Sequence, residues 1–79
     1  MWHEGVIGAP VNGEMIACKY WVKAFPEPSS EWGIDGGRIS KLAIQVNGKW
    51  TCNYDRGWDI EPEDEATQIA YMILLQEYN

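Results

Sequence analysis

Apolar and polar residues alternate through most of the chain, and a longer period takes over only at its end. From Met15 to Phe25 one face reads Ile16, Cys18, Tyr20, Val22 and Ala24. The other reads Met15, Ala17, Lys19, Trp21, Lys23 and Phe25. A period of two predicts a strand half-buried in a sheet. The first face is the core face. The second, with lysine stems around a tryptophan, predicts a half-exposed surface or a partner's contact. Trp2 to Gly8 predicts a short strand before it, and Ala9 to Gly13 a turn punctuated by Pro and Asn-Gly. Arg38 to Val46 predicts a third strand, with Ser40, Leu42, Ile44 and Val46 on one face and Ile39, Lys41, Ala43 and Gln45 on the other. Lys49 to Asp55 predicts a fourth, with Trp50, Cys52 and Tyr54 sharing a face.

Asn47-Gly48 joins the last two strands, and its loop length decides which faces meet. A two-residue loop pairs Val46 with Lys49 and sets Leu42 and Ile44 opposite in face to Trp50 and Tyr54. A three-residue loop pairs Gln45 with Lys49, so that Ile44 meets Trp50 and Leu42 meets Cys52. One residue of slip moves every side chain across the sheet. The expectation is the three-residue loop, with Gly48 left-handed in a bulge, because it gathers one apolar face. The two-residue loop returns if both faces are buried.

From Ala66 the period lengthens to 3.6, through Ile69, Ala70, Ile73 and Leu74. Tyr71, Met72, Leu75 and Tyr78 widen the apolar arc. Pro62 suits the first helical position, with Glu61 as cap, and Glu63, Asp64 and Glu65 favour the positive end of the helix dipole. The expected fold is α+β: one domain over residues 1–79, an antiparallel four-stranded sheet and a C-terminal helix, in the order β-β-β-β-α.

Length and charge narrow the picture. A chain of 79 residues forms a marginal core, which small proteins reinforce with disulfides, metals or oligomerisation. No secretory leader is visible, so a cytoplasmic location and unpaired Cys18 and Cys52 are expected. No Cys-x-x-Cys or His-x-x-x-His spacing offers a metal site. A homo-oligomer is the reinforcement left, and no cofactor is expected. No apolar run is long enough to span a bilayer, so no membrane partner is expected. The net charge of −6 disfavours long duplex nucleic acid. Between Met15 and Arg56, however, six basic residues stand against four acidic ones, 6 − 4 = +2. A small anionic ligand stays compatible with that region.

Two loops carry unusual chemistry: Pro26 to Gly37 and Asp55 to Pro62. An up-and-down sheet brings both to one end, together with the helix start. Trp32 and Trp58 would there stack a flat ring, Arg38 and Arg56 would hold a phosphate or carboxylate, and Tyr54 and Asp35 would assist. The competing structural reading pairs Asp55 and Asp59 with the arginines and uses Trp58 as a plug. Lys19 and Lys41 near Trp21 form either an electropositive face or a solvated one. Ser29, Ser30, His3 and Asp35 lack the nucleophile elbow of a hydrolase, and no enzyme is expected. The acidic run from Asp59 to Glu65 charges a helix start or mimics an acidic partner.

The segments Gly33–Leu42 (GIDGGRISKL) and Tyr54–Asp59 (YDRGWD), with Pro28-Ser29 upstream, resemble a family of small uncharacterised proteins of phages, prophages and their Gram-positive hosts. The resemblance implies a context and no activity: small acidic phage proteins without catalytic motifs often antagonise host defence. The resulting expectation is a non-enzymatic sponge for a nucleotide-derived signal, of cyclic-nucleotide or ADP-ribose type, acting in the host cytoplasm. The alternative is an inhibitor that grips a defence protein through its acidic and aromatic surface.

Overall fold

The computed structural model describes residues 1–79. Its strands are β1 (Trp2–Val11), β2 (Glu14–Ala24), β3 (Ile39–Val46), β4 (Lys49–Asp55) and β5 (Trp58–Ile60), followed by the helix α1 (Glu65–Tyr78). They form an antiparallel sheet in sequence order, β1-β2-β3-β4-β5. The class is α+β as expected, but the sheet has five strands and not four. The added strand lies in the expected second loop. Asp55, Arg56 and Gly57 reverse the chain, with Arg56 left-handed at φ 56° and the Asp55 N–H donating to the Gly57 carbonyl. Three residues are too few to show a period, which is why β5 reads as loop.

Two Asn-Gly dipeptides frame the sheet. Asn12 and Gly13 have φ of 50° and 82°, and Asn47 and Gly48 have 53° and 76°. Positive φ at both central residues makes a two-residue turn whose twist matches the strands. The first turn therefore closes on Val11 and Glu14, so β1 extends past Gly8 to Val11. The second closes on Val46 and Lys49, which corrects the expected three-residue loop. The faces are reconciled one step later. A bulge shifts the register, so that Gln45 pairs with Trp50 but Ile44 pairs with Cys52 and Leu42 with Tyr54. Thr51 is the extra residue. Trp50 thus lies on the face opposite Cys52 and Tyr54. A second bulge between Lys23 and Ala24 turns Ile39 into the core, against the simple alternation.

One face of the sheet carries α1. Ala66, Ala70 and Leu74 are buried against Cys18, Val22, Leu42, Ile44, Cys52 and Tyr54. Small residues at two of the helix positions let it lie close to the strands. Full burial of a side chain such as Leu42, Ile44 or Leu74 is worth roughly 1.5–3 kcal/mol, so these three anchor the layer. Ile73, expected in the stripe, is 38% exposed.

The helix starts later than expected, and at the other end. Its cap is Asp64, whose carboxylate accepts from the Thr67 N–H at 2.9 Å, and not Glu61. The buried Thr67 hydroxyl lies 2.6 Å from Asp64 Oδ1 and 2.8 Å from Thr51 Oγ1. This ties the helix start to the bulge near the β3–β4 turn. Because β5 carries the chain back down the sheet, α1 ends, and does not start, beside the long loop. There the Asn79 side chain accepts from the Ile39 N–H and donates to the Ile34 carbonyl.

Candidate functional site

The residues singled out in the two loops separate into different surroundings. Tyr54 is buried, and its hydroxyl donates to the Trp32 carbonyl at 3.0 Å. The Trp58 ring stands edge-on to Tyr54 at 5.1 Å and to Tyr71 at 5.6 Å. Tyr54 and Trp58 therefore pack together at one end of the sheet, and Trp32 joins them only through its main-chain carbonyl, with Trp32 51% and Trp58 40% exposed. Burial, aided by the nearby charge of Asp35, pushes the Tyr71 phenol up to about 12. Asp35 itself is exposed and left-handed at φ 51°.

The arginines are not directed at a common point. Arg56 donates from Nε to its neighbour Asp55 at 3.2 Å, in an exposed pair. Arg38 instead lines a small depression of about 210 Å³ with His3, Phe25, Glu77 and Tyr78. Asp59 pairs with neither arginine and accepts from the Asn53 side chain at 3.1 Å.

The long loop is tightly built. The Ser29 hydroxyl accepts from the N–H groups of Glu31 and Trp32, and the Ser29 carbonyl accepts from Gly33. Gly33 passes so close to Gly37 that an added Cβ would collide with the Gly37 carbonyl oxygen. Ser29 thus serves the loop's geometry. Neither cysteine is free to react. Burial pushes the Cys52 thiol up to about 12, and burial followed by the Asp64 charge raises Cys18.

The face opposite α1 offers more. Its layout follows from the register. Trp2, Lys23, Lys41 and Asp55 form one row across the sheet. Glu4, Trp21, Ala43, Asn53 and Ile60 form the next, then Val6, Lys19, Gln45 and Trp50. Trp21 and Trp50 approach each other over the small Ala43, with ring centroids 5.4 Å apart and tilted by 50°. Beside them opens a broad groove of about 480 Å³, bounded by Trp2, Trp21 and Trp50 and closed by Lys41, Asn53 and Asp55. Trp2 is 57% and Trp50 50% exposed. Lysine heads stay at this surface: Lys19 lies 5.8 Å from the Trp21 ring and Lys23 5.9 Å from the Trp2 ring. An ammonium within about 6 Å of an aromatic centroid is attracted by the ring's quadrupole. Lys41 stands 3.8 Å from Asp55.

Such a surface can stack a planar ring, meet it with an amide and a carboxylate, and neutralise an anion. Trp2 and Trp50 are the residues that the alternation pattern missed here. The Asn-Gly turn was the signal that could have found Trp50, since a strict two-residue loop takes it off the Ile44 face.

A family model described as "Domain of unknown function (DUF7678)" matches residues 1–79. The chain belongs to that family. The match spans every element described above, including both Asn-Gly turns and the whole helix. Nothing among curated proteins or solved structures matches the chain significantly. No helix of this DUF7678 domain is long and apolar enough to cross a membrane.

Proposed function

We propose that this DUF7678 domain is a non-catalytic binding protein, and that its working surface is the open face of the sheet. The observation that carries the reading is the Trp21–Trp50 pair over Ala43, exposed beside Lys41, Asn53 and Asp55. The ligand class is nucleotide-like: a flat ring for the indoles and an anionic group for Lys23 and Lys41. Combined with the resemblance to small phage and prophage proteins, this supports a role in sequestering a nucleotide-derived signal of cyclic-nucleotide or ADP-ribose type. The groove is open and shallow, which fits holding a ligand better than excluding water for chemistry.

Titration calorimetry against cyclic di- and trinucleotides and cyclic ADP-riboses tests the proposal. Stacking on an aromatic side chain is worth about 1–3 kcal/mol per base. Trp50→Ala and Trp21→Ala should each weaken binding by roughly tenfold or more, while Trp32→Ala and Arg56→Ala change it little. No binding to any member, or losses confined to Trp32 and Arg56, would overturn the assignment to this face.

A second reading has one observation in its favour. Asp59, Glu61, Glu63, Asp64 and Glu65 are all exposed, and Ile60 among them is 37% exposed. An acidic segment with an apolar centre supports docking to a basic protein surface. Charge reversal at Glu63 and Glu65 that abolishes capture of a host protein, with nucleotide titrations silent, would favour it.

A further inference from the structure

The two edges of the sheet are guarded differently. The β5 edge is three residues long and followed closely by Pro62. The β1 edge is ten residues long, and only Pro10 interrupts it. Long unpaired edges present rows of free N–H and C=O groups, and folded proteins normally blunt them.

Which groups are free follows from the pairing. Met1 and Ala24 exchange backbone hydrogen bonds, N–H to carbonyl in both directions, at 3.2 and 3.1 Å. The two-residue turn at the other end closes on Val11 and Glu14, two positions in the same register. In an antiparallel ladder the hydrogen-bonded pairs alternate with non-bonded ones. Odd-numbered residues of β1 therefore bond inward to β2. The groups of Trp2, Glu4, Val6 and Gly8 point outward, and Pro10, which has no N–H, ends the series.

We infer that a second copy of this chain pairs with β1, antiparallel and edge to edge, about a two-fold axis through Gly5. Trp2 then lies opposite Gly8 of the partner subunit, and Glu4 opposite Val6 of the partner subunit. Every outward N–H from Trp2 to Gly8 meets a carbonyl, and Pro10 falls beyond the pairing. The neighbouring registers are worse. Centring on Val6 sets Trp2 against the partner's Pro10, which cannot donate. Centring on Glu4 sets two carboxylates directly opposite, which is destabilising. In the favoured register the Trp2 indole, 57% exposed in the single chain, comes beside the partner's Gly8, where no Cβ opposes it and only the far end of a flexible methionine side chain has to give. The two helices remain on one side, and the two open faces become one continuous surface.

The test is a proline on the edge. Val6 is 60% exposed and its N–H points outward, so Val6→Pro removes a bond to the partner and none within the chain. Light scattering coupled to size exclusion should give the wild type twice the 9.0 kDa of one chain, and Val6→Pro the single mass. Amide exchange gives a second readout on the wild type itself. Glu4, Val6 and Gly8 should be protected at high concentration and lose that protection on dilution. A wild type that stays at the single mass at millimolar concentration overturns the inference. So does a dimer that survives Val6→Pro, or one whose outward amides exchange freely. None of these readouts requires a ligand, so they stand or fall apart from the proposed nucleotide site.

Discussion

At the scale of single residues, a few contacts set the local geometry. Gly33 and Gly57 make a contrast. An added methyl at Gly33 would strike the backbone of Gly37, whereas Gly57 has open space around it. Gly33→Ala should cost several kcal/mol, since backbone cannot yield as a flexible side chain can. Gly57→Ala should stay within about 0.5 kcal/mol. Urea denaturation of the two variants separates them. Asp64 gives a pH-dependent case. Burial acts to raise its carboxyl, but the hydrogen bonds from the Thr67 hydroxyl and N–H, its own backbone N–H and the charge of Lys49 outweigh this and hold it below the ordinary value. A carboxylate depressed on folding stabilises the fold above its unfolded value near 3.8, and that contribution vanishes as pH falls through the lower folded value. Asp64→Asn keeps a capping side chain but removes the titration. Its denaturation midpoint should depend less on pH below about 4 than the wild type's.

At the scale of elements, the sheet shows what alternation can and cannot reveal. The faces of β2 are as its pattern predicts, because β2 carries no extra residue of its own: its register with β1 is unbroken, and the bulge opposite Lys23 and Ala24 falls in β3, at Ser40. The β3–β4 hairpin departs from its pattern because two demands compete. Asn47-Gly48 favours a two-residue turn, and the core requires Ile44 beside Cys52. The bulge at Thr51 satisfies both, and Thr51 is spent on the polar link to Thr67. No count of apolar positions contains that solution. The helix cap lies beyond its expected place for a similar reason: Pro62 suits a first helical position, but the chain runs as β5 to Ile60 and enters the helix only after Asp64. Besides the buried Ile34 side chain and its carbonyl's bond from Asn79, the long loop is fastened to the sheet by the bond from the Tyr54 hydroxyl to the Trp32 carbonyl. Tyr54→Phe should cost about 1 kcal/mol and speed amide exchange around Trp32 without disturbing β4.

At the scale of the whole molecule, a single helix covers one side of a five-stranded sheet and leaves the other side to three tryptophans and three lysines. Single exposed apolar residues are ordinary on a protein surface, and it is the grouping of these tryptophans on one face that motivates the binding role proposed for it. The sequence placed Lys19, Lys41 and Trp21 on this face but assigned the working surface to the loops. It did so because topology brings loops together visibly, while a face is assembled only when the register of every strand is known. Trp2 and Trp50 lie 48 positions apart in the chain, 50 − 2 = 48. They border one groove because the unbroken pairing of Trp2 with Lys23 and Lys23 with Lys41, and the two-residue turn that pairs Gln45 with Trp50, set both tryptophans on the open face. The expected aromatic cluster at the loop end is real in part, through Tyr54 and Trp58, but Trp58 is wedged against Tyr71 and the arginines turn elsewhere.

The most direct measurement is amide and indole chemical-shift mapping of the labelled protein during titration with a cyclic dinucleotide or cyclic ADP-ribose ligand that calorimetry shows to bind. Shifts should concentrate at Trp2, Trp21, Ala43, Trp50 and Asn53, with the indole N–H signals of Trp21 and Trp50 moving most. Shifts concentrated instead at Trp32, Asp35, Arg56 and Trp58, with the open face silent, would contradict the assignment of binding to that face.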